Sequence, residues 1–291
     1  MRVSYRLRMG RLGRGWDLTK KSWSVVKGDR SLLGFAVIAA IAGLVCVLVF
    51  FGVGAGLVVV TKANWVAVPF VILALYGLVT IGVFCSVALA ACATQALEGK
   101  ATSVSLGIAA ARSRLGVILQ WAAVQLVVGT LISLLQSALR QGAGQVVGAI
   151  IGGLANFAWT VATFFVIPSI ALEGLGPKDA LKRSTHVIRS RWGEGLTGAA
   201  AIGVIAFFLG FLPGAIIIGL GMALAPTSAI LAGLLITIGV IVIVVTMLLQ
   251  TTISTVFRVA LYRFATQDAV LGPFDRSELE HAFASRRGGL A

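Results

Sequence analysis

Charge-free apolar runs cover 31–61, 63–97, 115–139, 141–172 and 195–257. A helix needs about 20 apolar residues to cross a hydrocarbon layer of roughly 30 Å. The first four runs each hold one crossing. The last must hold two, with Leu224-Ala-Pro-Thr-Ser228 as its turn-like break. The pattern predicts six crossings, at about 32–60, 64–97, 115–139, 143–171, 195–222 and 228–257. Pro168 and Pro213 each remove a helix hydrogen bond and predict kinks in the fourth and fifth.

The polar segments between the crossings resemble one another. Asp17, Lys20-Lys21-Ser22 and Val25 match Asp179, Lys182-Arg183-Ser184 and Val187 at a constant offset of 162. Arg112-Ser-Arg114 and Gly116 match Arg189-Ser-Arg191 and Gly193, and Ala96-Leu-Glu-Gly99 matches Ala171-Leu-Glu-Gly174. These echoes fall at the same place relative to a crossing and predict a repeated unit, a basic amphipathic helix followed by a membrane hairpin. The fold expected is an all-α polytopic bundle of three parallel repeats, about 12–97, 101–172 and 177–257. Residues 1–264 form a single membrane domain, and 265–291 a cytoplasmic tail. In that tail Ser277 and Glu280 make a capping-box pattern, predicting a short and loosely tethered helix with Leu279 and Phe283.

In the first basic segment Leu12, Trp16, Thr19, Trp23 and Val26 fall on one helical face, with Arg14, Lys20, Lys21 and Lys27 off it. In the third, Leu181, Ser184, Val187, Ile188 and Trp192 form the stripe, and Lys182, Arg183, His186 and Arg189 lie off it. The middle copy, Val104, Ile108, Ala111 and Leu115, is weaker. Such helices are expected to lie in the membrane interface, apolar face down. The headgroup candidates are Trp16, Lys20, Lys21, Trp23, Lys27, Lys182, Arg183, Arg189, Arg191 and Trp192. Ordinary juxtamembrane packing is the other reading of the same pattern.

Composition and charge agree. The chain is 291 residues long, 58% hydrophobic and 12% charged, which places it in the membrane class. Of its 24 Lys and Arg residues only Lys62 and Arg140 fall on the side opposite the termini. Basic residues near helix ends stay cytoplasmic, so a multi-pass protein of the cytoplasmic membrane with both termini inside is expected. The net charge of +14 is accounted for by anionic phospholipid headgroups as partners, without nucleic acid.

Chemistry is sparse. Cys46, Cys85 and Cys92 lie in apolar runs without metal or disulfide spacing, and read as small buried hydrophobes. His186 and His281 form no metal motif, and no cofactor is expected. With no charge deep in any crossing, a proton relay or bilayer metal site is not expected, and the chain reads as a non-enzyme. Gln125 and Asn156 are the midplane polar candidates, either pairing two helices or lining a hydrated path. Gln120, and Gln250 with Thr251, Thr252 and Ser254, lie nearer the cytoplasm. Glu98 and Glu173 are structural ion-pair candidates, for instance Glu173 with Lys182 or Arg183. Gly144, Gly148 and Gly152 on the fourth helix, and Gly210 and Gly214 on the fifth, are spaced for close packing. That packing serves the monomer or, alternatively, a homo-oligomer.

Arg14-Gly-Trp-Asp-Leu, Val166-Ile-Pro168, Ala171-Leu-Glu173, Ala180-Leu-Lys-Arg-Ser184, Ala260-Leu-Tyr-Arg-Phe-Ala265 and Gly272-Pro-Phe-Asp275 resemble an uncharacterised family of bacterial and archaeal six-pass membrane proteins. More distantly, the hairpin-and-basic-helix pattern is similar to the membrane domain fused to some glycerophosphodiesterases. The nearer family carries no established activity and the phosphodiesterase domain is absent, so the resemblance transfers no catalytic residues. Two functions follow from the residues: a non-enzymatic protein that organises or senses membrane through anionic lipid, or a carrier of a neutral or lipidic solute.

Overall fold

The computed structural model describes residues 11–29, 31–142, 144–191, 203–276 and 279, with the backbone alone at 11–16 and 191. Every regular element among them is helical: α1 (Arg11–Gly28), α2 (Ser31–Thr61), α3 (Ala67–Leu97), α4 (Val104–Arg112), α5 (Leu115–Gly142), α6 (Gln145–Ala162), α7 (Pro177–Arg191), α8 (Leu212–Leu224) and α9 (Ala229–Gln267). Among the described residues six helices are long and apolar enough to cross a membrane: Ser31–Thr61, Asn64–Leu97, Leu115–Gly142, Gln145–Glu173, Gly203–Leu224 and Ala229–Gln267. This is a multi-pass membrane protein. The first part of the expected fifth crossing, residues 195–202, lies outside the described residues.

The crossings pack as sequential pairs, α2 on α3, α5 on α6 and α8 on α9. The tightly packed core sits at one end of these pairs. It joins Leu32 and Phe35 at the start of α2, Val83 to Leu97 at the end of α3, and Ile118 and Trp121 at the start of α5. Phe164 to Ile170 and Val256 to Phe264 complete it. At the opposite end Val60 is 79% exposed and Ile230 79%, whereas Val256 is 0%. Apolar side chains need no protein cover in lipid, so only the basal end has to be close-packed.

The lengths explain the division. Helix α9 has 39 residues, about 58 Å at ~1.5 Å each, nearly twice the roughly 30 Å that hydrocarbon demands. Its apolar stretch from Ala229 to Leu249 is long enough to cross, and Gln250 onward extends into the basal core. Arg258 therefore lies within a continuous helix just past the expected end of the sixth crossing at 257, half-buried with its Nε covered.

The short helices dock on this core. Leu18, Thr19, Ser22 and Val26 of α1 are buried, with α1 against α9. Gly107 and Ala111 of α4 are buried beside α3. Ala180, Ser184 and Val187 of α7 are buried near the end of α6. At these positions protein covers the faces, as in the juxtamembrane-packing reading, while Trp23, Val104, Ile108 and Ile188 are half-buried and Leu115 is exposed. The expectation of a loosely tethered tail is corrected. Phe274 is 3% and Leu279 0% exposed, and Lys21 Nζ pairs with Asp275 at 3.0 Å, so the described part of the tail is fastened. Ser277, Glu280, His281 and Phe283 lie outside the described residues.

Both prolines act through local unwinding. After α6 come a turn at 163–165, a short helix Val166–Pro168 and a π-turn Ser169–Glu173. Pro213 enters α8 behind a π-turn, Phe207–Phe211. A wider turn accommodates the missing N–H and the ring that would strike the carbonyl four residues back. At the α6 break the buried Ser184 hydroxyl of α7 accepts from Phe165 N at 3.1 Å and donates to Ala162 O at 2.6 Å. A side chain from a neighbouring helix thus satisfies backbone groups that the break releases.

Candidate functional site

Two polar assemblies occupy the basal end. The first is an ionic network on the last turns of α9. Tyr262 donates to Oε1 of Glu173, and Ser169 Oγ donates to the Tyr262 hydroxyl at 3.1 Å. Arg183 of α7 also reaches Glu173, Nη2 to Oε1 at 3.2 Å. The next residue, Arg263, reaches Glu98 Oε1 at 2.7 Å, while Lys100 takes Oε2 at 2.7 Å. The Lys100 hydrogen bond, against partial burial and with the charges of Lys100 and Arg263, holds the Glu98 carboxyl below its usual range. Glu173 thus has the basic-helix partner proposed for it, Arg183 and not Lys182. Glu98 pairs with the loop and with α9 instead of with the helix that follows it. At Gly174 the backbone turns left-handed, φ 67°, under the Arg114 guanidinium, a conformation that strains any residue with a side chain.

A third acid fixes the start of α2. Asp29 accepts from Ser31 N at 3.0 Å, and from both the backbone and the hydroxyl of Thr102. Burial acts to raise its pKa, but these hydrogen bonds outweigh it and leave it below the usual aspartate value.

The second assembly is a cavity of about 400 Å³ between α3, the α6 break, the π-turn before α8, and α9. Ser86, Gln250, Thr251, Ser254, Thr255 and Arg258 supply its polar lining. Ile167, Pro168, Phe211 and Met247 supply the apolar part. The α9 residues recur at three and four positions, one face of a helix. Arg258 stacks on the Phe164 ring, 4.8 Å to the centroid. Its Nε is buried with no hydrogen-bond partner, and no carboxylate pairs with it among the described residues.

The midplane candidates stand elsewhere. Asn156 Nδ2 donates to Gly152 O of its own helix at 3.0 Å, and the residue is exposed on the bundle surface. Pairing of Asn156 with Gln125 is therefore corrected; in hydrocarbon an amide can close on its own backbone. Neither residue lines the cavity. Sequence reading did bring forward Gln250, Thr251 and Ser254, but missed Arg258. The signal was present, because Val259, Ala260, Leu261 and Phe264 continue the apolar pattern of α9 past the charge.

The glycines act within hairpins. A Cβ on Gly148 would meet Arg140 at 2.6 Å and one on Gly152 would meet Gln136 at 2.7 Å, both on α5. Gly210 faces Thr246, and Gly214 faces Ile243 at 2.5 Å, both on α9. Gly144 departs from the expected stripe: it precedes α6 with φ 94° and approaches nothing. Of the headgroup candidates, Lys20, Lys27, Lys182 and Arg189 are exposed, and Lys21, Trp23 and Arg183 half-buried. The Lys27 ammonium lies 5.7 Å from the Trp23 ring centroid. The side chains of Trp16, Arg191 and Trp192 lie outside the described residues. Cys46, Cys85 and Cys92 are free thiols, the last two buried.

A comparison with curated proteins gives no match. The family described as "Family of unknown function (DUF6159)" matches residues 67–272, a stretch running from α3 to the end of the α9 network and containing the whole cavity lining. The chain belongs to this family of unknown function.

Proposed function

We propose that the protein is a non-enzymatic component of the cytoplasmic membrane, with both termini inside, that gathers anionic phospholipid against its basal end. The observation carrying this reading is a stripe on α7. Lys178, Lys182, His186 and Arg189 recur at four, four and three residues and are all exposed, while the opposite face is buried in the core. A rigidly docked helix holding cations outward at headgroup level gains roughly 1 kcal/mol per Lys or Arg from an anionic surface. The charge placement around α1 supports the same orientation.

Three parallel repeats of basic helix and hairpin remain the simplest account of the sequence echoes. The likeness to membrane domains fused to some glycerophosphodiesterases is an inference of the same kind. A carrier of a neutral or lipidic solute is the second reading. It rests on the basal cavity, since Asn156 and Gln125 stand outside it.

The test is lipid retention by the purified chain. Replacing Lys178, Lys182 and Arg189 with Gln should reduce the excess of phosphatidylglycerol over phosphatidylcholine that copurifies. An unchanged excess would sink the proposal.

A further inference from the structure

Arg258 differs from the three arginines held in ion pairs at the basal end. Arg183 and Arg263 face glutamates at 3.2 and 2.7 Å, and Arg276 faces Asp268 at 2.6 Å. Arg258 has the Phe164 ring where they have a carboxylate. Stacking uses the face of the guanidinium and leaves its N–H edges for an in-plane acceptor. A half-buried guanidinium with its Nε covered and no counter-ion among the described residues is disfavoured, so a place for an anion is implied.

The cavity supplies the rest of such a place. Ser86, Thr251 and Ser254 bring hydroxyls that make no hydrogen bond to the described residues, and Gln250 brings an amide. The Thr255 hydroxyl donates to Thr251 O at 2.8 Å and so contributes oxygen lone pairs only. Donors outnumber acceptors, and the single charge is positive. That set suits a tetrahedral oxyanion, which accepts along several directions at once. The lining also includes the apolar side chains of Ile167, Pro168, Phe211 and Met247. Met247 stands 11 residues from Arg258, about 16 Å along α9 toward the hydrocarbon-length stretch. A ligand filling the cavity is therefore anionic at one end and apolar at the other.

We propose that this cavity binds the phosphate of a single phospholipid molecule, with Arg258 as counter-ion and the acyl chains leaving past Met247 and Phe211. This is a stoichiometric site distinct from the α7 stripe, and neither reading depends on the other.

Native mass spectrometry of the full chain in neutral detergent tests it, with phosphatidylglycerol, a diacylglycerol of matched chains, and inorganic phosphate as probes. One phosphatidylglycerol should stay bound per chain. Arg258→Met should weaken that binding by at least about tenfold, the scale of a lost charge-assisted hydrogen bond. The double variant Thr251→Val/Ser254→Ala keeps the charge and should weaken it by several fold; it carries the test if Arg258→Met does not fold. Lys182→Gln/Arg189→Gln should leave the tightly held lipid in place. Undiminished retention in the cavity variants would overturn the site. Equal binding of diacylglycerol would overturn the role of phosphate, and displacement of the lipid by inorganic phosphate alone would overturn its lipid identity. Loss in the stripe variant with retention in the cavity variants would overturn this inference while leaving the surface reading standing. Loss in the cavity variants with retention in the stripe variant would support this site and leave the surface reading to its own test, the copurifying phosphatidylglycerol excess.

Discussion

Tyr262 donates its phenolic hydrogen to Glu173, joining the last turns of α9 to the end of the fourth crossing. The same hydroxyl accepts from Ser169 at 3.1 Å, and its ring lies 5.6 Å from that of Phe165. Tyr262→Phe keeps the ring and removes the bond to Glu173. A lost hydrogen bond to a charged partner predicts a stability loss of about 1.5–3 kcal/mol. Glu173→Gln should cost less once Tyr262 is already Phe, because the two act through one contact. Thermal unfolding of the four forms in detergent measures this, and strictly additive losses would refute the coupling.

Ser184 predicts a second effect. Its hydroxyl satisfies Phe165 N and Ala162 O at the α6 break. Ser184→Ala leaves both buried groups unpaired, at roughly 1–3 kcal/mol. Hydrogen exchange should rise locally at 162–166 before it rises elsewhere. Uniform acceleration across the chain would contradict the proposed patch.

Two glycines should respond in opposite directions to the same change. A Cβ at Gly107 would strike Phe35 and meet Ala88 O and Cys92 Sγ, both at 2.9 Å. Gly107→Ala should lower stability by about 1–3 kcal/mol through overpacking of α4 on α3. Gly116, in helix α5, meets nothing within 4 Å, so Gly116→Ala should raise stability by about 0.4–1 kcal/mol. Melting temperatures of the pair decide, and shifts of the same sign would defeat the argument.

Acid should loosen the basal end. The Glu98 pKa is depressed from 4.5 in the folded chain, so the unfolded chain binds more protons. The contribution is present in full above about 4.5 and is lost as pH falls through the depressed folded value. Asp29 behaves likewise below its ordinary 3.8. The wild type should lose thermal stability below about pH 4.5, and Glu98→Gln/Asp29→Asn should show a flatter profile. Parallel profiles would exclude these carboxylates as the cause.

Water access distinguishes the cavity from the bundle surface. With Cys46, Cys85 and Cys92 replaced, a single Cys at 254 should react with a small charged thiol reagent from the basal side. A single Cys at 156, on an exposed face within the crossing, should stay silent because lipid surrounds it. Reaction at 156 would restore the hydrated-path reading of Asn156.

Much of this was legible in sequence. Charge-free runs carried the six helices because lipid imposes a length and forbids charge whether or not helices touch. The docking of α1 and α7 was not legible, since Leu181 and Val187 form the same stripe against lipid or against protein. Arg258 was missed for a related reason. A charge ends an apolar run, but it need not end a helix whose next turns enter a protein core. Asn156 misled because amide pairing was expected between helices, whereas Gly152 O was available one turn away.

The basal clasp also orders events in time. Glu98 waits for Arg263 and Glu173 for Tyr262, contacts separated by 165 and 89 residues, and Lys21 waits for Asp275 across 254. A ribosome delivers each hairpin with its partner helix close behind, so those pairs can form as they emerge. The clasp cannot close until Tyr262, Arg263 and Asp275 are made, and until then two glutamates lack the α9 residues that hold them. The hairpins of the newborn protein can therefore enter the membrane before its basal end is locked.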